Sequence, residues 1–329
     1  MFQRKVYQKL MIWKEKYASK QACLLEGARQ VGKTTIAEHF AQNEYTSYIK
    51  IDFANTTEEI LDIFSNTAKL DLLFLRLQTE TGIKLTEGES AIIFDQIQCN
   101  SEARNIAKDL VKDGRYHYIE TADFLYSNRK SEEASEYKIK MYPMDYEEFL
   151  WAAENPNYEL LQKLYERKKE VGQQLNRKLM RDFRIYMAVG GMPQAVDAYV
   201  KGKNFTEIDA VKRTILSLYE DDFKKIDASG KITAMFHSIP AQLSKDTKRY
   251  VISSATGKRK SKKDEELLYD LADSKTVLLT YNSTDPRVSL AMTKDLKSYK
   301  MYLCDTGLFV TLMFMDRPAA ENDIYAKLL

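Results

Sequence analysis

LLEGARQVGKTT, residues 24–35, is the stretch whose reading decides the fold. It holds G-x-x-x-x-G-K-T from Gly27 to Thr34, after the short apolar run ACLLEG and before the helical pattern KTTIAEHFAQ. Glycines at both ends let backbone N–H groups turn inward around phosphate oxygens, and the following helix N-terminus adds a favourable dipole. In such a loop Lys33 reaches the β- and γ-phosphates of a nucleotide, and Thr34 offers its hydroxyl to Mg²⁺. The candidate ATP-binding residues are therefore Gly27, Ala28, Arg29, Gln30, Val31, Gly32, Lys33, Thr34 and Thr35, with Arg29 expected to face the triphosphate or a neighbouring chain.

Outward from the loop, apolar runs alternate with helical segments from about residue 20 to 125. SYIKIDFA, AIIFDQ and YHYIETA have the continuous apolar character of strands covered on both faces, so a mainly parallel α/β sheet is predicted. Asp95 ends AIIFDQ and is the second candidate metal residue beside Thr34; its carboxylate can hold the Mg²⁺ shell. Thr121, at the end of the next strand, is a candidate γ-phosphate sensor. Asp52, after the second strand, is an alternative source of a catalytic carboxylate where Gln96 follows Asp95, and Arg104 and Arg129 are candidate trans-acting fingers.

The 329 residues are too many for one core, so two or three domains are expected. The predicted boundaries are a P-loop core with its N-terminal helix over 1–155, a helical lid over 156–228, a winged-helix-like domain over 229–299, and the start of a further domain from 300, cut short. The lid pattern breaks only at VGGMPQA. The winged helix is suggested by KITAMFHSIPAQLSK and KKDEELLYDLADS followed by the β-like runs TVLLTYN and RVSLAMT.

Fifty Lys+Arg against 48 Asp+Glu leave a formal charge of +2, so any nucleic-acid contact needs a local patch. Between Lys245 and Lys263 there are eight basic residues and one acid, Asp246. Lys258, Arg259, Lys260, Lys262 and Lys263 are the candidate DNA contacts, with DEE at 264–266 arguing against them and for a solvated loop with ordinary helix-capping acids. No apolar run is long enough to span a membrane. The three cysteines and three histidines are scattered, without metal-ligand spacing, and the chain reads as cytoplasmic and reduced.

The series EGARQVGKTT, IIFDQIQ, KMYPMDYEEFLWA, GGMPQAV, SIPAQLSK and YLCDTGLF resembles a bacterial and archaeal family of AAA-like P-loop ATPases with a C-terminal domain of unknown function. The resemblance implies an additional-strand ATPase core, a helical lid, a winged helix and a C-terminal nuclease-like fold. Two departures stand out: Gln96 replaces the glutamate of the family's DEIQ, and TAD at 121–123 replaces TGS. An amide can orient a water but cannot take its proton. The expected function is an ATP-binding switch with weak hydrolysis, acting alone, as a homo-oligomer or with another protein. The alternative is a DNA-binding winged-helix module whose P-loop only supports the fold.

Overall fold

Val6, Leu10 and Trp13 recur at helical spacing, and in the computed structural model all three are buried on helix α1 (Val6–Lys16). The structure describes residues 1–66, 69–123, 136–247, 249–257, 261–285 and 287–316. Two compact units divide at Met141/Tyr142.

In the first unit α1 is followed by β1 (Ala22–Glu26), α2 (Lys33–Glu44), β2 (Ser47–Asp52), α3 (Glu58–Ser65), α4 (Leu70–Thr81), β3 (Ser90–Asp95), α5 (Ser101–Asp113), β4 (His117–Ala122) and β5 (Glu136–Lys140). The strands pair in the order β2-β3-β4-β1-β5, all parallel. β3 is buried along its whole length, as an apolar strand covered on both faces must be. Leu24, Ile92, Phe94 and Tyr118 turn one face toward Ile60, Phe64, Leu73, Leu77 and Leu110 of α3–α5. α2 packs against β2, β3 and β4, and α1 packs on α2 and β5. β4 lies between β1 and β3, the additional strand that the family resemblance implied.

The second unit opens with α6 (Tyr146–Ala152), which Asp145 and Glu148 start with a reciprocal capping box. It continues through α7 (Asn157–Glu166), α8 (Gln173–Val189), α9 (Pro193–Val200) and α10 (Phe205–Ile226), the helical segment expected from the pattern. Then come α11 (Lys231–His237), α12 (Ile239–Leu243), α13 (Ile252–Thr256), α14 (Lys262–Asp273), the antiparallel pair β6 (Val277–Ser283) and β7 (Lys294–Leu303), and α15 (Thr306–Met313). No helix among the described residues is long and apolar enough to cross a membrane.

One expectation is corrected here. RVSLAMT is not the ribbon's second strand; that strand is β7, whose buried Tyr299, Met301 and Leu303 pair with Tyr281, Leu279 and Val277. Residue 300, where a further domain was expected to begin, lies within β7, and α15 packs on α8 and α10. At the start of the second unit, Met144 N–H donates to Gly191 O at 2.7 Å and Tyr186 Oη donates to Met144 O at 2.9 Å.

GGMP and CDTGL, distant in sequence, meet in a knot of backbone. Asp305 caps α15, accepting from Leu308 N–H at 2.8 Å, and its other oxygen accepts from Gly191 N–H at 2.6 Å. A Cβ on Gly190 would lie 2.3 Å from Asp305 Oδ1, one on Gly191 1.9 Å from Met144 O, and one on Gly307 2.2 Å from Val189 O. Lys212 is fully buried beneath, donating to Ala188 O at 2.7 Å, and burial lowers its pKa to about 8. Gly191→Ala is expected to lower stability by about 1–3 kcal/mol or more, because the obstructing atom is main chain and cannot rotate away. Denaturant unfolding beside the exposed control Gly172→Ala measures it, with little change expected from the control, since its φ is −60° and nothing lies within 4 Å of a Cβ there.

Candidate nucleotide site

β1 ends at Glu26 and the chain turns at once. Gly27 is required there, since a Cβ would sit 2.2 Å from Met141 O, and Met141 is itself tied down by donating to Glu26 O at 2.7 Å. Gly32 has φ 93° at the N-cap of α2, a left-handed conformation that favours glycine. Between them Arg4, buried, donates from Nη1 to Val31 O at 3.1 Å and fixes the middle of the loop. The result is a strand, a loop braced at three points and a helix N-terminus, the arrangement that binds phosphate.

Lys33, the first residue of α2, is 4% exposed. Its ammonium donates to Gly27 O at 3.0 Å and Ala28 O at 2.8 Å, and pairs with Asp123 Oδ1 at 2.5 Å. Burial pulls its pKa below the usual lysine value, and the Asp123 carboxylate opposes that shift.

Asp95, buried at the end of β3, receives two hydroxyls on one oxygen. Thr34 Oγ1 donates to Asp95 Oδ1 at 2.7 Å, and Thr121 Oγ1 donates to the same oxygen at 2.5 Å. The Thr121 oxygen also accepts from Gln96 N–H at 3.0 Å. Gln96 has φ 54°, a left-handed turn that ends β3 and opens the 3-10 turn Ile97–Cys99. The donors gathered here, a carboxylate and a threonine hydroxyl at the mouth of the loop, are hard oxygens of the type that suits Mg²⁺. Asp52 has both oxygens engaged locally, with Ala54 N–H at 3.0 Å and Asn55 Nδ2 at 2.9 Å, so it closes its own turn.

The remaining sequence candidates scatter. Arg29 is half-buried and Thr35 is exposed. Arg104 pairs with Glu136 at 3.5 Å inside the first unit. Lys262 and Lys263 are exposed on the first turn of α14, whereas Lys258, Arg259, Lys260 and Arg129 lie outside the described residues. The acid after the basic run serves the structure, since Asp264 completes a capping box with Ser261 and pairs with Lys231 at 2.6 Å. Sequence reasoning missed two contributors. Arg4 precedes the loop by more than twenty residues and carries no motif. Asp123 was visible only as a departure from TGS, with nothing in the sequence to pair it with Lys33. Among the described residues no group of three or more His, Cys, Asp or Glu could hold a metal alone.

Residues 19–150 match the family model for an AAA domain, and residues 180–319 match one for a domain of unknown function. The second match spans the boundaries expected at 229 and 300. No curated protein sequence matches the chain. Among solved structures, a Walker-type ATPase of Pyrococcus abyssi is similar with a TM-score of 0.57 at 15% identity, over 95% of this chain and 96% of that one. That likeness is one of fold. The Aeropyrum pernix Orc1 protein in complex with DNA aligns over 100% of this chain and 95% of that one at 12% identity, but its TM-score of 0.33 carries no argument.

One strand residue beside the site is out of keeping with its surroundings. Glu120 precedes Thr121 on β4 and is 1% exposed, with Oε2 lacking a hydrogen-bond partner among the described residues. Burial raises its pKa to about 8; nearby Glu136 adds to the shift and Arg104 opposes it. The folded protein therefore holds a proton that the unfolded chain releases near the ordinary glutamate value, and stability falls as pH rises from about 4.5 to about 8. Glu120→Gln should flatten that slope and stabilise the protein at pH 8 by roughly a few kcal/mol. Unfolding midpoints between pH 5 and 8.5 test it, and an unchanged slope would refute the assignment.

Proposed function

With residues 19–150 belonging to the AAA P-loop ATPase domain and residues 180–319 to a domain of unknown function, we propose that this protein is a Mg-ATP-binding switch whose hydrolysis is slow. The observation that carries the reading is the meeting of Lys33, Thr34, Asp95 and Thr121 at the carboxyl ends of β1, β3 and β4. In this reading Gly27–Thr35 wraps the phosphates and Lys33 holds the terminal ones. Thr34 and Asp95 hold the metal, which supplies charge neutralisation when bound. Thr121 links Asp95 to Gln96, so it reports on the γ-phosphate region. Gln96 follows Asp95 where a catalytic glutamate would stand, and its amide can position a water without deprotonating it. Nucleotide state would then pass through the helical segment to a winged-helix-like region made of α11–α14 and the β6–β7 ribbon.

Single-turnover cleavage of ATP separates binding from chemistry. The expected outcome is slow cleavage by the natural sequence, a gain on the order of 100-fold in Gln96→Glu, and loss of binding in Lys33→Ala. Fast turnover in the natural sequence, unimproved by Gln96→Glu, would sink the slow-hydrolysis reading.

A second reading is supported by Lys262 and Lys263, exposed where α14 begins ahead of the ribbon. As a DNA-binding module the protein would bind duplex in a salt-dependent way. That binding would survive Lys33→Ala and weaken when Lys262 and Lys263 are neutralised. Absence of binding at low salt removes this reading.

A further inference from the structure

A lysine ammonium has three N–H donors and no acceptor. At Lys33 each of the three has an acceptor within 3.0 Å: Gly27 O, Ala28 O and Asp123 Oδ1. No donor is left over for a phosphate. The two carbonyls belong to the loop itself, so they follow wherever it goes. Asp123 does not. It stands just past the end of β4, and its side chain is 23% exposed against 3% for that of Lys33. Of the three acceptors, it is the one able to leave toward solvent, and it is the only one with a full negative charge.

We propose that Asp123 is a resident competitor for the terminal phosphates: the anion that a nucleotide must displace from Lys33, and the residue that sets the site's preference for the magnesium complex over free nucleotide. The proposal rests on the ATP-binding reading above and deepens it. A triphosphate entering the loop meets the Lys33 cation already neutralised and a carboxylate beside the position its own anionic oxygens must take. Two like charges a few ångströms apart at a largely buried cation repel strongly, because little water remains to screen them. Metal held by Thr34 and Asp95 offsets the phosphate charge on that side. Free nucleotide brings more negative charge to the same place, and so is disfavoured more. A serine at position 123 would leave Lys33 without its directly paired anion, with Asp95 acting only at longer range, and would weaken both effects.

The experiment is a titration of the intact protein with a fluorescent ATP analogue, followed by anisotropy, with Mg²⁺ or with EDTA. The natural sequence is compared with Asp123→Ser, Asp123→Asn and Lys33→Ala. The Asp123 variants are expected to bind about tenfold or more tightly with Mg²⁺, the scale of one charge-assisted hydrogen bond. They should gain still more in EDTA, so that the ratio of the two affinities narrows. Their ligand-free thermal midpoint should fall, because buried Lys33 loses its counter-ion, while the shift on adding nucleotide grows. If the Asp123 variants, folded by circular dichroism, bind equally or less well while Lys33→Ala abolishes binding, the competitor role is overturned and the ATP-binding reading stands. If Lys33→Ala binds like the natural sequence, or neither binds, the ATP-binding reading fails and the competitor role with it.

Discussion

Parallel pairing of β4 between β1 and β3 is the constraint from which the candidate phosphate site follows. Neighbouring strands lie about 4.8 Å apart, so three chain segments leave the sheet at nearly one level: the loop after Glu26, the turn after Asp95 and the segment after Ala122. The register Leu25↔Thr121 and Phe94↔Glu120 fixes that meeting to within one residue. Side chains alternate along a strand, and a slip of one position would exchange the Thr121 hydroxyl for the Glu120 carboxyl beside Asp95. Two carboxylates would then share the space where one now takes two hydroxyls. The alternation thus separates a polar bridge, facing the loop, from an ionisable side chain that turns to the α5 side.

Much of this was legible in the sequence, because it is local. A P-loop is specified by eight consecutive residues, and the apolar runs around it identify buried parallel strands. Asp95 and Thr121, which meet in the structure, were candidates because each ends such a run. What could not be read was partnership. Lys33 and Asp123 are separated by ninety positions, and their pairing depends on which strand lies next to β1, which periodicity does not encode. Arg104, a candidate finger from the sequence, pairs with Glu136 on β5, a partner that no local pattern gives. The ribbon misled for a related reason: RVSLAMT has strand composition, but KDLKSYKMYL has the alternation that buries Tyr299, Met301 and Leu303. Pairing partners decided between them.

The two buried lysines show how differently one charge can be housed. Lys212 donates to main-chain carbonyls at 2.7 and 3.4 Å, with Asp209 4.0 Å away, and its side chain is fully buried. Lys33 shares the same need for acceptors but takes one of them from a side chain with solvent access. Burying an ammonium is costly unless it is paired. A fixed shell makes such a group structural, and a shell with one detachable member leaves it available for exchange.

The knot of Gly190, Gly191 and Gly307 bears on how sequences of this kind are interpreted. GGMP and CDTGL stand out to the eye as signatures, and signatures invite a search for chemistry. Here each glycine is demanded by a carbonyl, a carboxylate or an amide that leaves no space for one more carbon. Those letters therefore record how the chain closes on itself. A descendant that had lost every trace of nucleotide turnover would still have to keep them in order to fold. They carry architecture, whereas the proposed nucleotide chemistry rests on the few residues at the ends of β1, β3 and β4.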